Sequence, residues 1–220
     1  MYLPAQFKAN DDAHAWDIMR AHPLAQVISV DASGFPFVSH LPLHLETRDT
    51  GAILLGHVAR GNPHWRYLQA RPEALAVFTG PHAYLSPKVY PDLTRVPTWS
   101  YVVVHARVQT QLLDGETAKD ALLKQLIADH EPPYASQWRG LPQDYQEKML
   151  HGIVAFEMRI TQLQCKIKLN QHRPESHPAM HAAYAQGNPD EQALAEWMVR
   201  LGLVPKRPDS DDNTPSGAAS

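Results

Sequence analysis

The sequence predicts a mainly β protein of the α+β class, with about six antiparallel strands closing into a small barrel and helices at its periphery. Three observations carry this. Apolar or alternating runs of strand length fill the middle of the chain, at Ala25–Val30, Phe35–Leu45, Ala52–His57, Leu75–Thr79, Ser100–Leu113 and Gly152–Leu169. Short turn signals separate most of them, among them Asp31-Ala-Ser-Gly34 and Thr50-Gly51. The chain has no βαβ alternation and no GxGxxG loop, which argues against a doubly wound dinucleotide fold.

The elements follow in order. Asp11 or Asp12 can cap a short amphipathic helix through Trp16 and Met19, which Pro23 ends. In Phe35–Leu45, Val38, His40, Pro42 and His44 share one face, while Ser39, Leu41, Leu43 and Leu45 share the other. Proline cannot donate to a ladder, so Pro42 predicts an edge or a bulge. Asn62-Pro63 is a helix start, a side-chain cap followed by proline at the first helical position, and the helix ends before Arg71-Pro72. Asp114–His130 has helical period, with Ala118, Ala121, Leu122, Gln125, Leu126 and Asp129 as neighbours, and Pro132-Pro133 stops it. A short helix is expected over Gln143–Leu150. Another runs from Asn188-Pro189-Asp190-Glu191 through Leu201. The expected organisation is a barrel domain over 1–174, a helical extension over 175–204 and a disordered tail over 205–220.

Composition bounds the function. Of 220 residues, 44% are hydrophobic and 20% charged, which is ordinary for a globular chain able to build its own core. A net charge of −3 gives no broad basic face for capturing nucleic acid, so direct DNA binding is doubtful. The one cysteine, Cys165, excludes an intrachain disulfide and a zinc–cysteine site. No apolar window is long enough to span a bilayer and no secretory leader is visible, so a cytoplasmic location is the expectation. The 13 histidines are scattered, and His40 with His44 lacks a carboxylate at matching spacing, so no metal site is predicted.

Three stretches carry polar chemistry. In Gly56–Trp65, GHVARGNPHW, a strand ends at His57, Arg60 follows and a capped helix begins at Asn62. An imidazole, a guanidinium fork and helix amides at one corner suit a phosphate, though a surface arginine beside an ordinary cap would look the same. Thr79–Tyr101, TGPHAYLSPKVYPDLTRVPTWSY, is too aromatic for a disordered linker. His82, Tyr84 and Ser86 share one face of an extended segment, and Trp99 and Tyr101 share another. Such rings sandwich a planar heterocycle, anchor a dimer seam or fill the core. Lys166 and Lys168 alternate with Cys165, Ile167 and Leu169, giving either a solvated cationic face or a phosphate contact. No GxSxG nucleophile and no paired carboxylates stand out, so no catalytic residue is assigned, and any chemistry would be a cofactor's.

The segments MYLPAQF, HLPLHL, GHVARGNPHW, FTGPHAYLSPKVY, VPTWSYVVVHA and KIKLNQHRP, in that order from Met1 to Pro174, resemble the PaiB-type FMN-binding negative transcriptional regulators. The resemblance implies an FMN-binding split β-barrel related to pyridoxamine oxidase, working as a homodimer with flavin at the subunit interface. It implies that His57, Arg60 and Asn62 hold the phosphate. It places His82, Tyr84, Ser86, Trp99 and Tyr101 near the flavin, with Lys168 and Gln171 completing the site. Any effect on transcription is expected to be indirect. The alternative it leaves open is a flavin-dependent oxidoreductase, a reductase or oxidase of a small planar substrate.

Overall fold

The computed structural model describes residues 1–48, 51–92 and 94–205. Thr50 of the expected Thr50-Gly51 turn and the tail expected beyond Pro205 lie outside them. The chain forms two compact units, Met1–Gly80 with Val102–Ile167, and Pro81–Tyr101 with the segment from Lys168 onward.

In the first unit, helix α1 (Asp12–Ala21) is capped by Asp11, whose carboxylate accepts from the amide of Ala13. Strand β1 (Leu24–Val30) turns at Asp31–Gly34 into β2 (Pro36–Pro42), which pairs with it antiparallel from Leu24–Pro42 to Val30–Pro36. Asp31 holds that turn by accepting from the amides of Ser33 and Phe35. The strand breaks immediately after Pro42, where the Leu43 amide donates to Pro23 O instead of to the sheet. It resumes as β3 (His44–Arg48), paired with β4 (Gly51–Ala59).

The short helix α2 (His64–Ala70) follows, and then β5 (Glu73–Leu85), β6 (Thr98–Leu113), α3 (Glu116–His130), α4 (Tyr134–Gly140), α5 (Gln143–His151) and β7 (Ile153–Lys168). The strand order is β2-β1-β5-β6-β7-β4-β3. Its two ends, β2 and β3, are one stretch of chain interrupted only at Leu43, so the sheet closes on itself. Among the described residues, seven antiparallel strands therefore trace the six strand-length runs expected for a barrel, and Pro42 marks the break.

The closure has a steric condition. Gly56 in β4 lies opposite Phe156 in β7, and a Cβ on Gly56 would stand 2.5 Å from Leu43 Cδ2 and 3.0 Å from the Phe156 ring. Only a bare backbone fits at this approach. Leu43, Leu45, Leu54, Phe156 and Met158 fill the barrel interior and are almost wholly buried. On the opposite face of β7, Ala155 is covered by Leu122 and Leu126 of α3, with Leu55 and Leu113 packed alongside. That is the face the helical period assigned to α3.

The second unit contains the ends of β5 and β6 and two helices. Helix α6 (His177–Ala185) packs on α7 (Pro189–Arg200), which carries a full capping box between Asn188 and Glu191. The stretch expected to be one long connection, Thr79–Tyr101, proves shorter. β5 continues through Pro81 to Leu85, a 3-10 turn occupies Pro87–Val89, and β6 begins at Thr98. Helix α4 was not expected, and α6 falls within the helical extension expected over 175–204 without having been delimited there. Each is short and follows proline-rich or turn-forming sequence, which masks the helical period.

Candidate functional site

At the end of β4, His57 is half-buried and its Nδ1 is buried with no hydrogen-bond partner among the described residues. Burial pushes its pKa below the usual histidine value, so the ring is neutral near pH 7. An unpartnered buried imidazole nitrogen is costly unless something meets it. Arg60 is exposed and anchored from behind, with Nε donating to His151 O (2.7 Å) and Nη2 to Ile153 O (3.2 Å). The fork is thereby fixed in direction, and N–H groups remain for a ligand. Trp65 Nε1 donates to Arg60 O (3.1 Å), which ties the same turn from the other side.

Asn62 has other work. Its Oδ1 accepts from the His64 amide (3.0 Å) and its Nδ2 donates to Ser39 Oγ (3.1 Å). The helix begins one residue later than expected, with Pro63 at the N-cap position and no side-chain cap, so Asn62 instead closes the preceding turn on the His64 amide; α2 is only seven residues long. In this unit the expected phosphate-binding groups left without such a commitment are His57 Nδ1 and the remaining N–H groups of Arg60. Beneath Asn62 lies a buried polar cluster that sequence reasoning missed. His64 is wholly buried, with Nδ1 at 2.8 Å from Ser39 Oγ and Nε2 at 2.9 Å from Ser29 Oγ, and burial lowers its pKa to about 4. It joins α2 to β1 and β2, and no local pattern announces three partners so far apart in sequence.

The remaining expected residues lie in the second unit. His82 and Tyr84 point outward from β5 with Ala83 and Leu85 buried between and after them, as the alternation predicted. Trp99 lies beside both, its ring 6.3 Å from His82 and 6.3 Å from Tyr84. Tyr84 and Trp99 remain 50% and 55% exposed, an apolar surface with no cover in the single chain. Asp190 at the start of α7 stands 3.4 Å from His82 Nδ1.

Lys168 donates to Thr98 Oγ1 (2.5 Å) and Trp99 O (2.8 Å), and its Nζ lies over the Tyr101 ring at 5.7 Å. The lysine locks the start of β6 and brings a positive charge to the aromatic set. Ser86 caps the 3-10 turn by accepting from the Lys88 amide, and Gln171 Oε1 accepts from the Leu169 amide (2.9 Å).

Asn170, between these residues, was overlooked. It adopts a positive φ of 61°, accepts from the Tyr90 hydroxyl and donates to Ser176 Oγ (2.7 Å). Asparagine tolerates this left-handed conformation better than most residues, which was the available signal. Tyr184 of α6, also overlooked, donates to Ser100 Oγ (3.0 Å), and burial raises its pKa to about 12.

One reading of the basic strand changes. Lys166 is not a solvated face residue: it is 7% exposed, donates to Tyr2 O (3.2 Å) and lies over the Tyr2 ring. The N-terminal segment, bridged to β7 at Lys8–Lys166, covers it. Cys165 beside it is buried, and burial pushes its thiol up to about 12, which makes it unreactive.

Residues 1–162 match the family described as "Putative FMN-binding domain". This chain belongs to that family. FMN is its cofactor, and an unmet imidazole nitrogen on His57 with a fixed guanidinium three residues on is a donor set of the kind that suits a phosphate-bearing group. The chain is 30% identical over 203 residues to the Bacillus subtilis "Protease synthase and sporulation protein PAI 2", covering 90% of this chain and 96% of that protein. It shares its fold with the flavocytochrome Anf3 of Azotobacter vinelandii, at 16% identity and TM-score 0.59 over 97% of this chain and 89% of that one. A FAD and heme binding protein of Mycobacterium smegmatis is similar at 19% identity and TM-score 0.54, over 73% of each chain. No helix among the described residues is long and apolar enough to cross a membrane.

Proposed function

We propose that this protein works as a cytoplasmic FMN-binding homodimer with a regulatory role, flavin lying at the subunit interface. The observation that carries the reading is the buried, unpartnered Nδ1 of His57 close in sequence to the anchored Arg60. His57 and Arg60 are assigned to the phosphate, with Asn62 holding the turn that presents them. His82, Tyr84, Trp99 and Tyr101 are assigned to the flavin ring and the dimer seam. Exposed aromatic area of this kind is stabilised by covering it, with a ring system or a second subunit. Lys168, Ser86 and Gln171 hold the backbone around those rings. Bound FMN supplies an isoalloxazine that accepts and releases electrons. The protein groups bind it, orient it and exclude water.

A regulatory role is supported by the similarity to the sporulation protein, and direct DNA contact is not part of the proposal. Burial of Lys166 further reduces the basic face that DNA would need. The visible spectrum of the freshly purified protein, with chromatography of the heat-released pigment, tests the flavin reading. One FMN per chain and a particle of twice 24.7 kDa are expected. A colourless protein that ignores added FMN would refute the site. The second reading, a flavin-dependent oxidoreductase, rests on the fold shared with a flavocytochrome. Steady oxidation of reduced nicotinamide by the holoprotein would favour it.

A further inference from the structure

Within the first unit, a cleft of about 390 Å³ opens where α1 and α3 both end against the β2–β3 break. None of the residues lining it was assigned to the flavin. Pro23, Leu43 and Leu45 form its apolar wall, and Arg20, His44, Asp129 and His130 supply its polar groups. Its volume lies at the lower end of the range for small-molecule sites.

The polar groups are arranged in a particular way. His44 Nδ1 stands 2.5 Å from Asp129 Oδ2, a contact between residues 85 apart in sequence, and the two side chains are 15% and 31% exposed. A carboxylate at Nδ1 fixes the tautomer and orientation of the ring, leaving Nε2 for another partner. The same contact engages Asp129, the one carboxylate of the lining. Arg20 and His130 have no ion-pair partner among the described residues. Each is a basic residue in the last turn of its helix, a place that favours positive charge. That alone would explain one exposed basic residue at each end. It does not explain two such ends converging with an oriented imidazole on one concave surface.

We propose that this cleft is a second binding site, for a small oxyanion (a carboxylate or a phosphate monoester), distinct from the flavin site. The Arg20 guanidinium supplies a planar fork for the oxyanion and His130 a ring nitrogen at the rim, while His44, its Nδ1–H committed to Asp129, turns Nε2 as an acceptor towards a hydroxyl of the ligand. The apolar wall accommodates a short carbon skeleton. A ligand seated there would touch α1, β3 and α3 together, so its presence can be felt by the sheet face on which His57 also lies.

The test uses the FMN-loaded protein titrated with inorganic phosphate and, separately, with succinate. Binding is followed by calorimetry and by the ring-proton shifts of the histidines. The expected result is saturable binding of at least one probe, with His44 and His130 signals moving. Affinity should fall about tenfold in both Arg20→Gln and His44→Gln, while flavin content is unchanged. Arg20 is on the surface, so that variant keeps the test valid if His44→Gln folds poorly. Tighter binding of succinate identifies a carboxylate ligand, and tighter binding of phosphate a phosphate monoester. Three results would overturn the proposal: no saturation with either probe, undiminished affinity in both variants, or loss of binding on loading with FMN. The last would mean that the oxyanion occupies the flavin phosphate position.

Discussion

Acidification should weaken this protein through His64 before its carboxylates titrate. The ring is wholly buried between Ser29 and Ser39, and its pKa falls from an ordinary 6.5 to about 4. The folded chain therefore refuses a proton that the unfolded chain accepts throughout the interval between those values. Stability is full above pH 6.5, declines as pH falls towards 4, and levels off for this group below that. A shift of this size corresponds to about 3 kcal/mol in total, of which about 2 kcal/mol is lost by pH 5. That is a large part of the stability of an ordinary domain. His57, His105 and His172 shift in the same direction, so the wild-type slope contains their contributions as well. Comparison with His64→Gln isolates the one ring. Urea unfolding at pH 7 and pH 5, at fixed FMN concentration, should show a smaller loss in the variant. The carbon shift of the His64 ring should remain that of the neutral form down to near pH 4. An NMR midpoint near 6.5, or equal slopes in both proteins, would refute the argument.

Three further outcomes follow from the geometry. Arg60→Ala should raise the Kd for FMN about tenfold or more, because a charge-assisted contact is worth roughly 1.5–3 kcal/mol; equal flavin affinity by fluorescence titration would remove Arg60 from the site. Gly56→Ala should destabilise the fold by about 1–3 kcal/mol in thermal unfolding, since its Cβ collides with Leu43 and Phe156 and overpacking carries that cost. Asn170→Ala loses the hydrogen bonds to Tyr90 and Ser176 at a positive φ, and should cost about 1–3 kcal/mol and loosen the Lys168–Gln171 turn. Unaltered urea midpoints in these last two variants would contradict the packing described.

The sequence by itself determined the local elements and their faces. Alternation in Phe35–Leu45 and the Leu122–Leu126 spacing in Asp114–His130 are short-range signals, and burial obeys them, whereas Val154, Ala155 and Phe156 are buried in succession because both faces of β7 are covered. Pro42 announced a break that became the junction closing the barrel. The ordered motifs carried the family and hence FMN. What tertiary structure decided were the pairings across long separations: His44 with Asp129, His64 with Ser29 and Ser39, Lys166 with Tyr2, and Tyr184 with Ser100. The extension of β5 through Pro81 and the burial of Lys166 likewise depended on neighbours far along the chain. A periodicity reports which way a side chain points. Whether that side chain meets solvent, a hydroxyl or a carboxylate is settled only by the segment packed against it.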